Sequence, residues 1–88
     1  MVRICKVQCF GVDVYVYAMT GRIMPARNGL VHHIVEVSEV PELAYDIDNL
    51  VYVGSASHKA IHDAYKKEKE KMQRILREAK KRLMRAGG

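Results

Sequence analysis

The sequence predicts an α+β fold. Three observations carry this: two stretches rich in Val, Ile and Tyr near the start, an apolar run at 30–37 with a shorter one at 50–53, and a charged helical pattern from about 57 to 85. The chain has 88 residues, enough for a single domain over 1–88 whose core is marginal by itself. A hydrophobic content of 49% argues against disorder.

Residues 2–9 (VRICKVQC) and 12–19 (VDVYVYAM) read as strands. In the second, Val14, Val16 and Ala18 alternate with Tyr15 and Tyr17. With Phe10-Gly11 as the turn, residues 1–20 form an N-terminal β-hairpin. Residues 20–29 contain Gly21, Pro25, Asn28 and Gly29 and read as a loop. Residues 30–37 form the next strand. Residues 38–49 (SEVPELAYDIDN) form a polar loop long for so small a domain, and such loops are more often functional than idle. A short strand follows at 50–53. Gly54 then breaks the chain, and Ser55 or Ser57 can cap the helix. Its apolar positions Ile61, Tyr65, Met72, Ile75, Leu76, Ala79 and Leu83 recur every three to four residues, interrupted by the run KKEKEK at 66–71. The first half of this helix should pack on the hairpin. The second half folds back on residues 1–19, meets a partner chain or projects into solvent.

Charge is uneven. Residues 1–65 hold five Lys+Arg and seven Asp+Glu, whereas 66–88 hold ten and three. The basic character belongs to the helical tail at 66–88. It suits a polyanion, although solvated helix faces also carry such runs. No segment is apolar for long enough to span a membrane and the start is not a signal peptide, so a cytoplasmic address is expected. Cys5 and Cys9, if on one strand, have Cα atoms about 13 Å apart, too far for a disulfide. They read as reduced thiols facing the core. With no second cysteine pair, no structural zinc is expected.

The histidines carry the chemistry. His32 and His33 are adjacent inside an apolar strand, while His58 and His62 are spaced to share one face at the start of the helix. The latter spacing is a natural two-point metal clamp. Neighbouring residues on a strand point to opposite faces, so His32 and His33 do not both reach one ion from a regular strand. One ligand and one base is the easier construction.

The pattern HHIVEV, then PELAYDIDNL, then SHKAIH resembles the HNH endonucleases, with their ββα-metal fold. Sixteen positions separate His33 from Asn49, and nine separate Asn49 from His58. The resemblance covers residues 30–62. The doubled histidine with a trailing His-x-x-x-His is similar to the nuclease domains of DNase colicins. The loop wording, and GRIMPA before the strand, look closer to small phage HNH proteins.

The resemblance implies a ββα-metal core over 30–65 and a metal-dependent DNA endonuclease. His33 is then the general base, a task that suits an imidazole with an ordinary pKa of about 6.5. His32, His58 and His62 are the metal ligands. Asn49 holds the metal loop and orients His33. One divalent ion is implied, with Mg, Mn, Ni or Zn as candidates. Lys59 and Lys66, nearest the expected site, and Arg22 and Arg27, in the loop before the His-His strand, are the expected DNA contacts. The family further implies 5′-phosphate and 3′-hydroxyl products, and a role either in phage DNA packaging, with phage packaging proteins as partners, or in a mobile element. Many phage-type members carry two Cys-x-x-Cys pairs for a structural zinc. One would fall at Gly54 and Ser57 and the other near Val14 and Tyr17, so this chain looks like a zinc-free variant. The N-terminal hairpin, or a homodimer through the C-terminal helix, would replace that staple. Two rival readings remain at this level: a metal-stabilised DNA-binding module without turnover, and a basic helical interaction protein.

Overall fold

A computed structural model describes residues 2–87 of the chain. Met1 and Gly88, the two ends of the expected domain, lie outside the described residues. The elements run α1 (Val2–Gln8), α2 (Val14–Thr20), β1 (Leu30–His33), two 3-10 turns (Pro41–Tyr45 and Ile47–Asn49), β2 (Leu50–Val53) and α3 (Ser55–Gly87). The α+β class holds, with a two-stranded antiparallel hairpin, β1 with β2, and a long C-terminal helix.

The N-terminal β-hairpin is corrected: residues 1–20 contribute two short helices. The Asp13 side chain accepts from the Val16 backbone N–H at 3.1 Å and starts α2. Gly21, at φ 75°, ends it with its N–H on the Tyr17 carbonyl. Those two caps outweigh the β-branched composition between them, because strand propensity is mostly a matter of context. Cys5 in α1 and Cys9 just past its end lie one turn apart, both fully buried, while Val2, Ile4 and Val7 face outward. The cysteines are free and core-facing as expected, but a helical turn rather than a strand joins them, with Cys9 N–H donating to the Cys5 carbonyl at 3.0 Å. Phe10-Gly11 is a turn, with both residues at positive φ, and it joins helix to helix.

β1 pairs with β2 from Leu30↔Val53 to His33↔Leu50. β2 is buried along its whole length and touches all three helices. β1 ends at His33 rather than at residue 37. Beyond it, Ile34 donates to the Asn49 carbonyl at 2.8 Å and Val35 to the Asn49 side chain, so Asn49 substitutes for further strand pairing. Before β1, the Tyr52 hydroxyl accepts from Gly29 N–H and donates to the Ala26 carbonyl. A Cβ at Gly29 would collide with the Tyr52 ring. This fixes the entry to the histidine strand.

The cap of α3 comes from elsewhere in the chain. Gly54 accepts the first helical bond, from His58 N–H. The second Asp13 oxygen accepts from Gly54 N–H at 2.9 Å and from the Ser57 hydroxyl at 2.7 Å. Ser57 is therefore a donor to Asp13, not the capping acceptor that its position suggests. A straight helix of 33 residues would run about 50 Å, yet the molecule's longest dimension is 30 Å. The helix breaks at Glu68 (φ −141°, ψ 56°), inside the KKEKEK run. Lys69, next to the break, pairs with Glu36 and Glu39. The second arm folds back, and Met72, Leu76, Ala79 and Leu83 join the core beside α2. The apolar stripe of the second arm is thus buried within the chain. No helix among the described residues is long and apolar enough to cross a membrane.

Candidate metal centre

β1 turns His32 toward the first arm of α3 and His33 toward the loop that follows Val40, as alternation on a strand requires. His32 is 5% exposed. Its ring meets those of His58 and His62 with centroids 5.6 and 6.0 Å apart, and His58 and His62 are 4.5 Å apart, all edge-on. One ligand nitrogen from each of the three lies within 4.8 Å of the others.

These three residues can hold a metal ion. The Nε2 atoms of His58 and His62 are 3.2 Å apart. A tetrahedral ion with metal–nitrogen distances of 2.0–2.1 Å would place its ligands about 3.3 Å apart, so that edge of the site is nearly preformed. Burial pushes the His32 pKa down to about 4, helped by His58, His62 and His33. Burial and His62 also push His58 down. Both effects favour the neutral imidazole, the form that ligates.

His33 is placed for a different task. Its Nε2 lies 3.2 Å from the Ala44 carbonyl oxygen, which can only accept. Nε2 therefore carries the proton, and Nδ1 keeps a free lone pair. Asn49, 6% exposed, supports this from behind. Its side chain accepts from Val35 N–H at 2.9 Å and donates to the Val35 carbonyl at 3.0 Å and the Leu43 carbonyl at 3.4 Å. Leu43 precedes Ala44, so Asn49 binds the strand's continuation to the loop segment that His33 grips.

An open cavity of about 350 Å³ is lined by His32, His33, His58, His62, Glu36 and Ser38, among others. Lys59, Lys66, Arg22 and Arg27 are exposed, but none of them lines it. Lys59 and Lys66 follow His58 and Tyr65 on α3; Arg22 and Arg27 stay in the loop before β1.

Three contributors escape the sequence reading. Asp13 caps both α2 and α3. Tyr65, apparently one position in an apolar stripe, places its hydroxyl beside His32. Lys80, apparently part of a solvated charge run, is 3% exposed and donates to the carbonyls of Ile47 and Leu50, each at 2.6 Å. It thus ties the second arm of α3 to both sides of Asn49. A lysine at the phase of Met72, Leu76 and Leu83 is the one local hint, since it falls next to the buried stripe. Compared with protein-family models, with curated proteins and with solved structures, the chain matches none.

Proposed function

We propose that the chain is a metal-dependent DNA endonuclease of the HNH type. The observation that carries this reading is the division of labour between two neighbouring histidines. His32 joins His58 and His62 in a cluster able to hold a cation. His33, on the other face of the strand, lines the same open cavity with its Nε2 committed to the Ala44 carbonyl. A metal site that served only stability would have no use for that second imidazole.

His33 Nδ1 takes a proton from the attacking water as its oxygen bonds to phosphorus. The phosphorus–O3′ bond breaks, and the leaving oxygen receives a proton from solvent. The Ala44 carbonyl holds the ring's orientation and steadies the imidazolium that forms. Asn49 keeps the Ala44 segment in register. A divalent ion held by His32, His58 and His62 would supply Lewis-acid stabilisation of the charge growing on the phosphoryl group. Three imidazoles favour zinc or nickel in affinity, while magnesium and manganese serve an open site where they are abundant. Phosphate contacts would come from Lys59 and Lys66 along α3 and from Arg22 and Arg27 before β1. Backbone contacts position a duplex without reading its sequence, so cleavage is weakly sequence-specific. A place beside phage packaging proteins rests on the family resemblance alone.

Plasmid cleavage across magnesium, manganese, nickel and zinc, with EDTA and His33→Ala in parallel, tests the reading. Nicked or linear DNA should appear only with metal. His33→Ala should lose about 10²–10⁴-fold in rate while binding metal as before. Intact plasmid under every ion, with metal still bound, would favour the rival DNA-binding module.

A further inference from the structure

Tyr65 lies on the same face of α3 as His58 and His62 and touches the third histidine directly. Its ring meets that of His32 edge-on, with centroids 5.1 Å apart. Its hydroxyl oxygen is 2.6 Å from the Ile34 carbonyl oxygen and 3.1 Å from His32 Nε2. A phenol has one proton, and a carbonyl oxygen only accepts. The proton therefore goes to Ile34, and a lone pair of the hydroxyl faces His32. Nε2 must then carry the His32 proton, which leaves Nδ1 with the free pair.

We propose that Tyr65 is a positioning residue of the metal centre, holding His32 as the Nε2–H tautomer so that Nδ1 is the atom offered to a divalent cation. This rests on the three-histidine metal reading and adds the group that orients one of its ligands. Ligating histidines commonly donate their other ring N–H to a fixed acceptor, which sets the ring and raises its basicity. Here the acceptor is itself fixed. The Ile34 carbonyl that receives the Tyr65 proton also accepts from Gln73 Nε2 at 3.1 Å. Ile34 follows His32 by two residues, so the phenol ties the helix to the strand at the ligand itself. Gln73 belongs to the second arm of α3, so both arms converge on that one carbonyl.

Tyr65→Phe removes the hydroxyl and keeps the ring. Gln73 still satisfies the Ile34 carbonyl, so the variant should remain folded. Two measurements read the proposal, neither of which requires cleavage. Long-range nitrogen–proton NMR on the metal-free protein should find His32 as the Nε2–H tautomer, and a mixture of tautomers in Tyr65→Phe. Calorimetric titration with zinc should show a loss of affinity of about tenfold or more in the variant. An Nδ1–H tautomer in the wild type, or zinc affinity in Tyr65→Phe within about twofold of wild type, would overturn the role of Tyr65. If the wild-type chain takes up no zinc at all, the metal centre itself fails and this role goes with it.

Discussion

The two arms of α3 put different kinds of side chain to use. The arm before Glu68 turns His58, His62 and Tyr65 toward β1 and adds Ile61 to the core. The arm after it buries Met72, Leu76, Ala79 and Leu83. One helix thus carries the candidate chemistry on one arm and much of the cohesion on the other. The break between them makes this workable. An unbroken helix would carry the second arm away from α2, and a domain of this size has little core to spare. The molecule therefore keeps its polar, cation-ready face at an open cavity and closes its apolar face elsewhere.

If this division is real, substitutions on the two arms should fail in different ways. Leu76→Ala should cost about 2–5 kcal/mol of stability, since it opens a cavity at a fully buried position. In thermal melts that is a drop of at least about 10 °C for a domain of this size. Zinc binding well below the new midpoint should survive. His58→Ala should do the reverse, abolishing tight zinc binding in calorimetry while the metal-free protein melts close to wild type. Zinc affinity lost in Leu76→Ala at low temperature would break the comparison.

Protonation probes the first arm and its strand. His32 has a folded pKa of about 4 against an ordinary 6.5. The unfolded chain therefore binds a proton at higher pH than the folded one. The stability contribution is complete above pH 6.5, drains as pH falls toward 4 and is gone below that. The full difference is about 3 kcal/mol. Urea melts of the metal-free protein from pH 7 to 4 should show this slope, and His32→Phe should reduce it to what His58, pushed down in the same direction, contributes. A wild-type profile that is level between pH 6.5 and 4 would mean that His32 is hydrated rather than buried against the arm.

The same contrast explains what could be read from the sequence. The region of the histidines was legible because its signals are local and of the right kind. Residues 50–53 alternate with nothing and are buried on both faces; His58 and His62 sit one turn apart; Gly54 ends the strand. The break at Glu68 is visible as an interruption of the apolar stripe, with folding back as one of the three courses that the sequence leaves open for the second arm. Residues 1–20 differ from the expected hairpin because Val14, Val16, Tyr15 and Tyr17 satisfy a strand pattern that two caps overrule. Asp13 and Gly21 stand at the right places to bracket a helix, but that evidence is weak until a partner surface selects it. Lys80 has only its position next to the buried stripe to mark it. Only the fold brings the carbonyls of Ile47 and Leu50 to its ammonium, and without them a lysine in a charge run belongs in water.

Asp13 links this N-terminal segment to the first arm. It accepts from Val16 with one oxygen and from Gly54 and Ser57 with the other. Asp13→Ala removes two helix caps at once and should cost about 1–2 kcal/mol, near the upper end for a single cap. Asp13→Asn should recover part of this, because its amide oxygen can still accept from one helix. Equal loss in both variants would show that charge, and not acceptor geometry, is what the two helix starts require.

The smallest expected effect decides whether the second arm is only structural. Arg74, Arg77 and Arg85 share an exposed face of it. Among the described residues none of the three has a carboxylate within ion-pair distance, whereas Lys71 and Lys81 face Glu68 and Glu78. Free guanidinium groups on one face fit a phosphate backbone, and each phosphate neutralised steepens the salt dependence of binding by about 0.9. Replacing the three arginines by alanine should therefore lower the slope of log affinity against log salt by about 2–3 on duplex DNA. Melting of the free protein should hardly move, since these side chains are in water already. An unchanged slope would leave the second arm with cohesion alone and confine DNA contact to the first arm and the loop before β1.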